Sequence, residues 1–225
     1  MRKLNIPDDL TTLAYRSIRK SILDGDVGPE SKLTEDALAR KLGISKSPIR
    51  EALTRLESEG LVRIAPRRGA FVVHFSAADV SDLFGLREAL EEYAVRTLVI
   101  GPELLAELRR HIDSAESFWK AGDRLSYIRE DVKFHRALAR ATGNQRLMQV
   151  MENVQNQGLI FRRHTFHLSS EVSLQMHKRI FSALENRDRE TAAVLMRQHI
   201  ASVRGKLVGH LQEGEQQQAG ASAGV

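Results

Sequence analysis

Residues 33–72 read LTEDALARKLGISKSPIREALTRLESEGLVRIAPRRGAFV, and this stretch decides the fold. Thr34 is an N-cap type, followed by Glu35 and Asp36 in a first turn where the helix macrodipole favours acids. Leu38 and Leu42 form the apolar side of that helix, and Gly43 breaks it. A second helix starts at Ser45 or Ser47. Pro48 is tolerated there because first-turn N–H groups lack intrahelical partners. Ile49, Ala52, Leu53 and Leu56 make its buried stripe, and Gly60 closes it. Two strand-like runs, Leu61–Ile64 and Ala70–Phe75, then flank Pro66-Arg67-Arg68-Gly69, which is the pattern of a hairpin with a basic tip. Helix, turn, helix and hairpin in this order predict a winged helix-turn-helix. In that arrangement the second helix presents its N-terminal residues to base edges in the major groove. Here those residues are Ser45, Lys46, Ser47 and Arg50, and Lys46 and Arg50, four apart, project from one face away from Ile49 and Leu53. Arg67 and Arg68 at the hairpin tip suit phosphates or the minor groove. The same scaffold can also serve protein contacts.

Upstream, residues 9–24 predict a helix with Leu10, Leu13, Ala14, Ile18 and Leu23 on one face. Downstream of Phe75 the pattern is helical throughout. Ser76 with Asp79 three residues later is a capping-box start. Helices fit 76–100, 102–121, 124–141, 144–167, 170–186 and 188–210, with breaks at Gly101-Pro102, Ala121-Gly122, Thr142-Gly143, Leu168-Ser169 and Asn186-Arg187. Asp188 suits the N-cap of the last helix. Short connections favour antiparallel packing. The expected fold is therefore mainly α: an N-terminal winged helix-turn-helix over 1–75, a C-terminal antiparallel six-helix bundle over 76–211, and a polar, small-residue tail over 212–225 expected to be disordered.

Composition limits the function classes. The chain has 225 residues and no cysteine, which excludes a disulfide framework, a thiolate zinc finger and a cysteine nucleophile and fits a reducing cytoplasm. No apolar run approaches the roughly 18 residues of a membrane span, and MRKLNIPDDL has no apolar stretch of a signal peptide, so a cytoplasmic protein with no membrane partner is expected. Residues 1–75 carry 14 Lys/Arg against 10 Asp/Glu, whereas 76–225 carry 20 against 19, so nearly all of the net +5 sits in the first third. That excess suits a polyanion such as nucleic acid, or simply a solvated basic surface.

Three segments of the second region carry candidate metal ligands. Asp131 and His135 are four apart on one helix face, His177 is on the predicted fifth helix and His199 on the sixth. Inward residues of facing helices can converge on one ion, and a carboxylate with three imidazoles suits zinc, nickel, iron or manganese. Spacing alone leaves polar surface or hydrogen-bonded core histidines as the alternative.

Residues 33–72, above all SKSPIREALTRLESEGLV followed by RRGAFV, resemble the DNA-binding domain of the GntR family of bacterial transcription regulators over about residues 9–75. The resemblance implies DNA contacts from Lys46, Ser47, Arg50, Arg67, Arg68 and Gly69. Asp36 departs from relatives that carry a basic residue there, which implies a different operator. Residues 79–210 resemble the FCD effector-binding domain of the FadR branch, on LREALEEYAV (86–95), DVKFHRALARATGNQRL (131–147), the His177 helix and NRDRETAAVLMRQH (186–199). That likeness implies a divalent transition metal, zinc first, held by Asp131, His135, His177 and His199. It also implies a small carboxylate or sugar-acid effector, with Arg87 among its contacts; the alternative for Arg87 is a helix-surface ion pair with Glu91. Arg140, Asn156 and Arg163 are further candidates to line the cavity. His111, His164, His167 and His210 read as ordinary polar residues, and Asn144 as a turn residue.

The expectation is a ligand-responsive regulator, a repressor acting as a homodimer on a palindromic operator, and not an enzyme. A metalloenzyme fused to a DNA-binding domain would need a general base beside the site, and no H-E-x-x-H helix is present. An architectural, non-specific DNA binder fits the near-neutral second region poorly.

Overall fold

The computed structural model describes residues 9–222, with the side chains of 161–165, 169 and 217–222 outside that description. The chain divides between His74 and Phe75 into two compact units.

The first unit runs α1 (Leu10–Leu23), β1 (Lys32–Leu33), α2 (Glu35–Leu42), α3 (Lys46–Ser58), β2 (Val62–Ala65) and β3 (Gly69–Val72). Thr34 Oγ1 accepts the Ala37 N–H at 3.2 Å to start α2, and Gly43 ends it in the left-handed region at φ 68°. Ser45 is the N-cap residue of α3, whose Ile49, Ala52, Leu53 and Leu56 are all buried. β2 and β3 pair antiparallel with Val62 opposite Val72 and Ala65 opposite Gly69. The two-residue β1 adds an edge to β3, giving the order β1-β3-β2, an element too short for a periodicity to reveal. In α1 the buried side chains are Ala14, Tyr15, Ile18 and Ile22, while Leu10 and Leu13 are about half exposed. The expected stripe is therefore rotated, because Tyr15 takes the inward position. Its hydroxyl donates to Glu59 at 2.7 Å and Arg55 covers its ring.

The second unit holds, among the described residues, α4 (Ala77–Thr97), α5 (Pro102–Lys120), α6 (Arg124–Arg140), α7 (Gln145–Glu185) and α8 (Arg189–Ser222). Ser76 and Asp79 form the reciprocal capping box, and Asp188 Oδ1 accepts the Thr191 N–H at 3.0 Å at the start of α8. Asn144 caps α7 by accepting from Arg146 N and Leu147 N. The core joins Phe84, Phe134, Leu138, Leu174, Ile180, Leu184 and Met196, each worth roughly 1.5–3 kcal/mol on burial. α8 runs antiparallel to α4 along its length: Glu190 meets Arg96, Arg204 meets Glu88, and Glu215 accepts the Ala77 N–H.

Two expectations need correction. Among the described residues the second unit has five helical elements where six were expected, because the predicted elements 144–167 and 170–186 form one continuous helical element, Gln145–Glu185. The sequence around Leu168-Ser169 has neither Gly nor Pro to break it. This helix does not run straight. Glu152 pairs with Arg136 and His177 with His135, yet 25 residues of straight helix would separate Glu152 from His177 by about 37 Å. α7 therefore bends back between these residues. Tyr127 marks the region, with its ring against Phe166 and its hydroxyl donating to the Ser170 carbonyl at 2.6 Å. The second correction is at the C-terminus. The stretch expected to be disordered from 212 is helical through Ser222, and only 223–225 lie outside the described residues. Its Gln, Glu and Ala are good helix formers continuing an already nucleated helix.

Candidate metal centre and nucleic-acid interface

Three helices bring three imidazoles together. His135 on α6, His177 on α7 and His199 on α8 are each 1–2% exposed. His177 Nε2 lies 3.2 Å from His135 Nε2 and 3.1 Å from His199 Nε2. Phe134 stacks on the His177 ring with centroids 4.3 Å apart, which holds its plane. Asp131, one turn before His135, is buried with Oδ1 3.8 Å from His177 Nε2, at the edge of the tight set that the three imidazoles form.

Hydrogen bonding alone does not satisfy these nitrogens. His135 Nδ1 faces Glu91 Oε2, which places the proton on Nδ1 and a lone pair on Nε2. His177 Nε2 carries at most one hydrogen, and one hydrogen serves only one of its two nitrogen neighbours well. A shared cation resolves the conflict. Two nitrogens each about 2.0–2.1 Å from one ion at tetrahedral to octahedral angles are about 2.9–3.4 Å apart, which the observed spacings match. The residues present thus fit a divalent transition metal.

Glu91 on α4 organises this centre from behind. Its Oε1 accepts from Arg87 Nε at 2.6 Å while its Oε2 takes His135 Nδ1–H. Burial raises its pKa, but Arg87 and His135 more than offset that and hold the carboxyl down at about 2. Carboxylate–histidine pairs of this kind fix the tautomer and sharpen the ligand. Burial, together with His177 and His135, pushes the His199 pKa well below its usual value, keeping the ring neutral and its lone pair available. Sequence reasoning passed over Glu91 as a supporting group. The i, i+4 spacing from Arg87 carried the signal, and the ion pair it indicated is present but buried rather than on the helix surface. Arg140 is turned to Glu107 on an exposed flank, and His111 is held by Glu130 at 2.7 Å. Asn156 is buried, and His167 stands with its ring 6.2 Å from that of His210. The side chains of Arg163 and His164 lie outside the described residues.

In the first unit the candidate DNA contacts lie at the start of α3 and the β2–β3 turn. Arg50 is gripped by Glu35, Nε to Oε1 at 2.9 Å and Nη2 to Oε2 at 2.8 Å. That bidentate hold uses one edge of the guanidinium and leaves Nη1 and half of Nη2 for another acceptor. Lys46 pairs with Asp36 at 2.6 Å, and Ser47 lies 3.5 Å from Glu51. Arg67, at φ 61°, and Arg68 are exposed at the turn. Gly69 has φ 102°, and a Cβ there would come within 3.3 Å of the Leu33 carbonyl, so glycine lets the central strand β3 approach β1. Pairing of Arg50 and Lys46 with α2 acids was not foreseen, since contacts 10–15 residues apart leave no periodic trace.

Residues 10–72 match the model of the bacterial regulatory proteins of the gntR family, and residues 82–202 match the FCD domain model. The chain is similar to the HTH-type transcriptional regulator YdhC of Bacillus subtilis, 30% identical over 88% of this chain and 89% of that one. It is also similar to the HTH-type transcriptional repressor RspR of Escherichia coli, 27% identical over 89% and 90% of the two chains. Among solved structures, a GntR regulator of Rhodococcus sp. RHA1 aligns with a TM-score of 0.80 at 25% identity, covering 88% of this chain and 97% of that one. These relatives are regulators of transcription and not enzymes. No described helix is long and apolar enough to cross a membrane. With a GntR winged helix-turn-helix and an FCD effector domain in one chain, this protein belongs to the GntR family of DNA-binding transcriptional regulators.

Proposed function

We propose that the protein is a repressor that binds a palindromic operator as a homodimer and releases it when a small carboxylate docks at a zinc-class metal site in the FCD unit. One observation carries the sensor half: three buried imidazoles from three helices meet, His177 Nε2 lying 3.1–3.2 Å from the Nε2 of each of the other two, with a carboxylate beside them. His135, His177, His199 and Asp131 hold the ion, with nickel, iron or manganese as alternatives to zinc. The metal supplies an electrophilic anchor for carboxylate oxygens. Glu91 orients His135 and is itself paired with Arg87 behind it. A carboxylate is drawn to the cation in this buried setting.

Lys46, Ser47 and Arg50 contact operator bases and phosphates, with Arg67, Arg68 and Gly69 at the wing. The repressor name of RspR belongs to that relative and supports the same sign here. For ligand to release DNA, it must bind the DNA-incompatible state more tightly. The test is a thermal-shift screen of the full chain against small carboxylates and sugar acids, with and without a chelator. An acid that stabilises the protein only without chelator is expected. Stabilisation that survives complete metal removal, or no response to any acid, overturns the reading.

A further inference from the structure

Between the second half of α7 and α8 lies a groove of about 220 Å³ that the centre just described does not absorb. His199 forms part of its wall and is the one member of the triad that reaches it. Ser173 and Met176 of α7 and Gln198 and Ser202 of α8 line it, with Arg179 and Lys206 among them. The spacing on each helix is that of one face: Ser173, Met176 and Arg179 step by three, and His199, Ser202 and Lys206 by three and four. Lys206 stands two turns from His199, about 10 Å along the axis, while Arg179 follows His177 by two residues.

Several cations of the second unit are neutralised by a carboxylate: Arg87 has Glu91, Arg109 has Glu185, Arg136 has Glu152, Lys178 has Glu116 and Arg204 has Glu88. Among the described residues Arg179 contacts only the Met176 sulfur, at 3.4 Å, and Lys206 meets no carboxylate. His199 spends Nε2 on the triad, and its Nδ1 has no hydrogen-bond partner among the described residues. Two cations, an amide, two hydroxyls and His199 therefore line this open groove beside Val172, Met176 and Val203, with no acid in its lining. A site with two positive charges and donors on both walls selects a dianion. Its volume equals about seven liquid waters, room for an acid of roughly four to six carbons and well below the pockets of drug-sized ligands.

We infer that this groove binds a small dicarboxylate, with one carboxylate at the His199 wall and the other held by Arg179 and Lys206. The inference rests on the metal-anchored reading for the first carboxylate, and adds residues of this chain that choose between acids. Arg179 and Lys206 are the specificity-determining groups. A monocarboxylate would fill only one end and leave both cations without a partner.

The experiment is calorimetric titration of the full, zinc-loaded chain with unbranched dicarboxylates of four to six carbons and with the matched monocarboxylates. It is repeated on Arg179→Gln, Lys206→Gln and the double variant, with zinc content measured in each preparation. At least one diacid is expected to bind about tenfold more tightly than its monoacid. The double variant should lose that preference while keeping its zinc. Equal affinity for both acids, no binding of either, or a preference that persists in the double variant overturns the inference. Chelator-treated protein separates the two readings. If the diacid preference survives metal removal, Arg179 and Lys206 stand and the metal anchor fails. If metal-dependent binding of both acids continues without any preference, the anchor stands and the groove fails.

Discussion

Replacing Glu91 by Gln changes one atom and should disturb two buried partners at once. Glu91 is 2% exposed, with one oxygen on Arg87 and the other on His135. Glutamine keeps the shape but turns one acceptor into a donor, so either Arg87 Nε–H or His135 Nδ1–H then faces an N–H. Loss of a carboxylate behind a metal-binding histidine lowers metal affinity by about 10–100-fold, or about 1.4–2.7 kcal/mol. Taking one partner from a buried ion pair costs about 3–5 kcal/mol of stability, because Arg87 keeps its charge in the interior. In a unit of this size that is a fall of roughly 6–20 °C in the melting point of the metal-free protein. Zinc affinity would be read by competition against a chromophoric chelator, and stability by calorimetry. Glu88→Gln is the control, since Glu88 lies on the same helix but pairs with the half-exposed Arg204. If Glu91→Gln folds and binds zinc within about twofold of the unaltered protein, the Glu91–His135 contact does not tune the centre.

Other outcomes follow from the same geometry. His177→Ala should remove most of the bound metal, measured by elemental analysis; a full complement would take His177 out of the site. Saturating the unaltered protein at about a thousand times Kd should add about 4 kcal/mol, roughly 8–16 °C in Tm, and a chelator should reverse it. Arg50→Ala should weaken binding to the preferred DNA by about 1–3 kcal/mol and to random DNA by less; equal losses would make Arg50 a phosphate contact. Gly69→Val should cost about 1–3 kcal/mol in the first unit's denaturant transition, because φ 102° and the Leu33 carbonyl oppose a Cβ. Ser76→Ala should cost about 1 kcal/mol, read as a shift of the second unit's transition.

Much of the architecture was legible because local chemistry and tertiary structure agree. Thr34, Gly43, Ser76 and Asp188 act through neighbours three or four residues away, and each does what its type favours. The buried stripe of α3 is visible for the same reason. A break was expected at Leu168-Ser169 although no Gly or Pro stands there; the element continues, and its bend depends on non-local packing against Tyr127. The last helix runs past the polar tail boundary because α4 offers a surface that Glu215 can bond. At the centre, the four candidate ligands were visible as residue types and the family resemblance joined them. The tautomer-fixing role of Glu91 needs the fold, for its partner is 44 residues away. Arg179 and Lys206 belong to the same class: their helices are evident, but only the packed bundle places them in one groove.

The account stands or falls on coupling between the two units. The most direct measurement is fluorescence anisotropy on the DNA that the full chain enriches from a random library, with the stabilising acid titrated in, for zinc-loaded and chelator-stripped protein. The account expects the acid to weaken DNA binding of the zinc-loaded protein by at least about tenfold, equivalent to about 1.4 kcal/mol of coupling, and to leave the stripped protein unaffected. An acid that binds the zinc-loaded protein yet leaves its DNA affinity unchanged would contradict it.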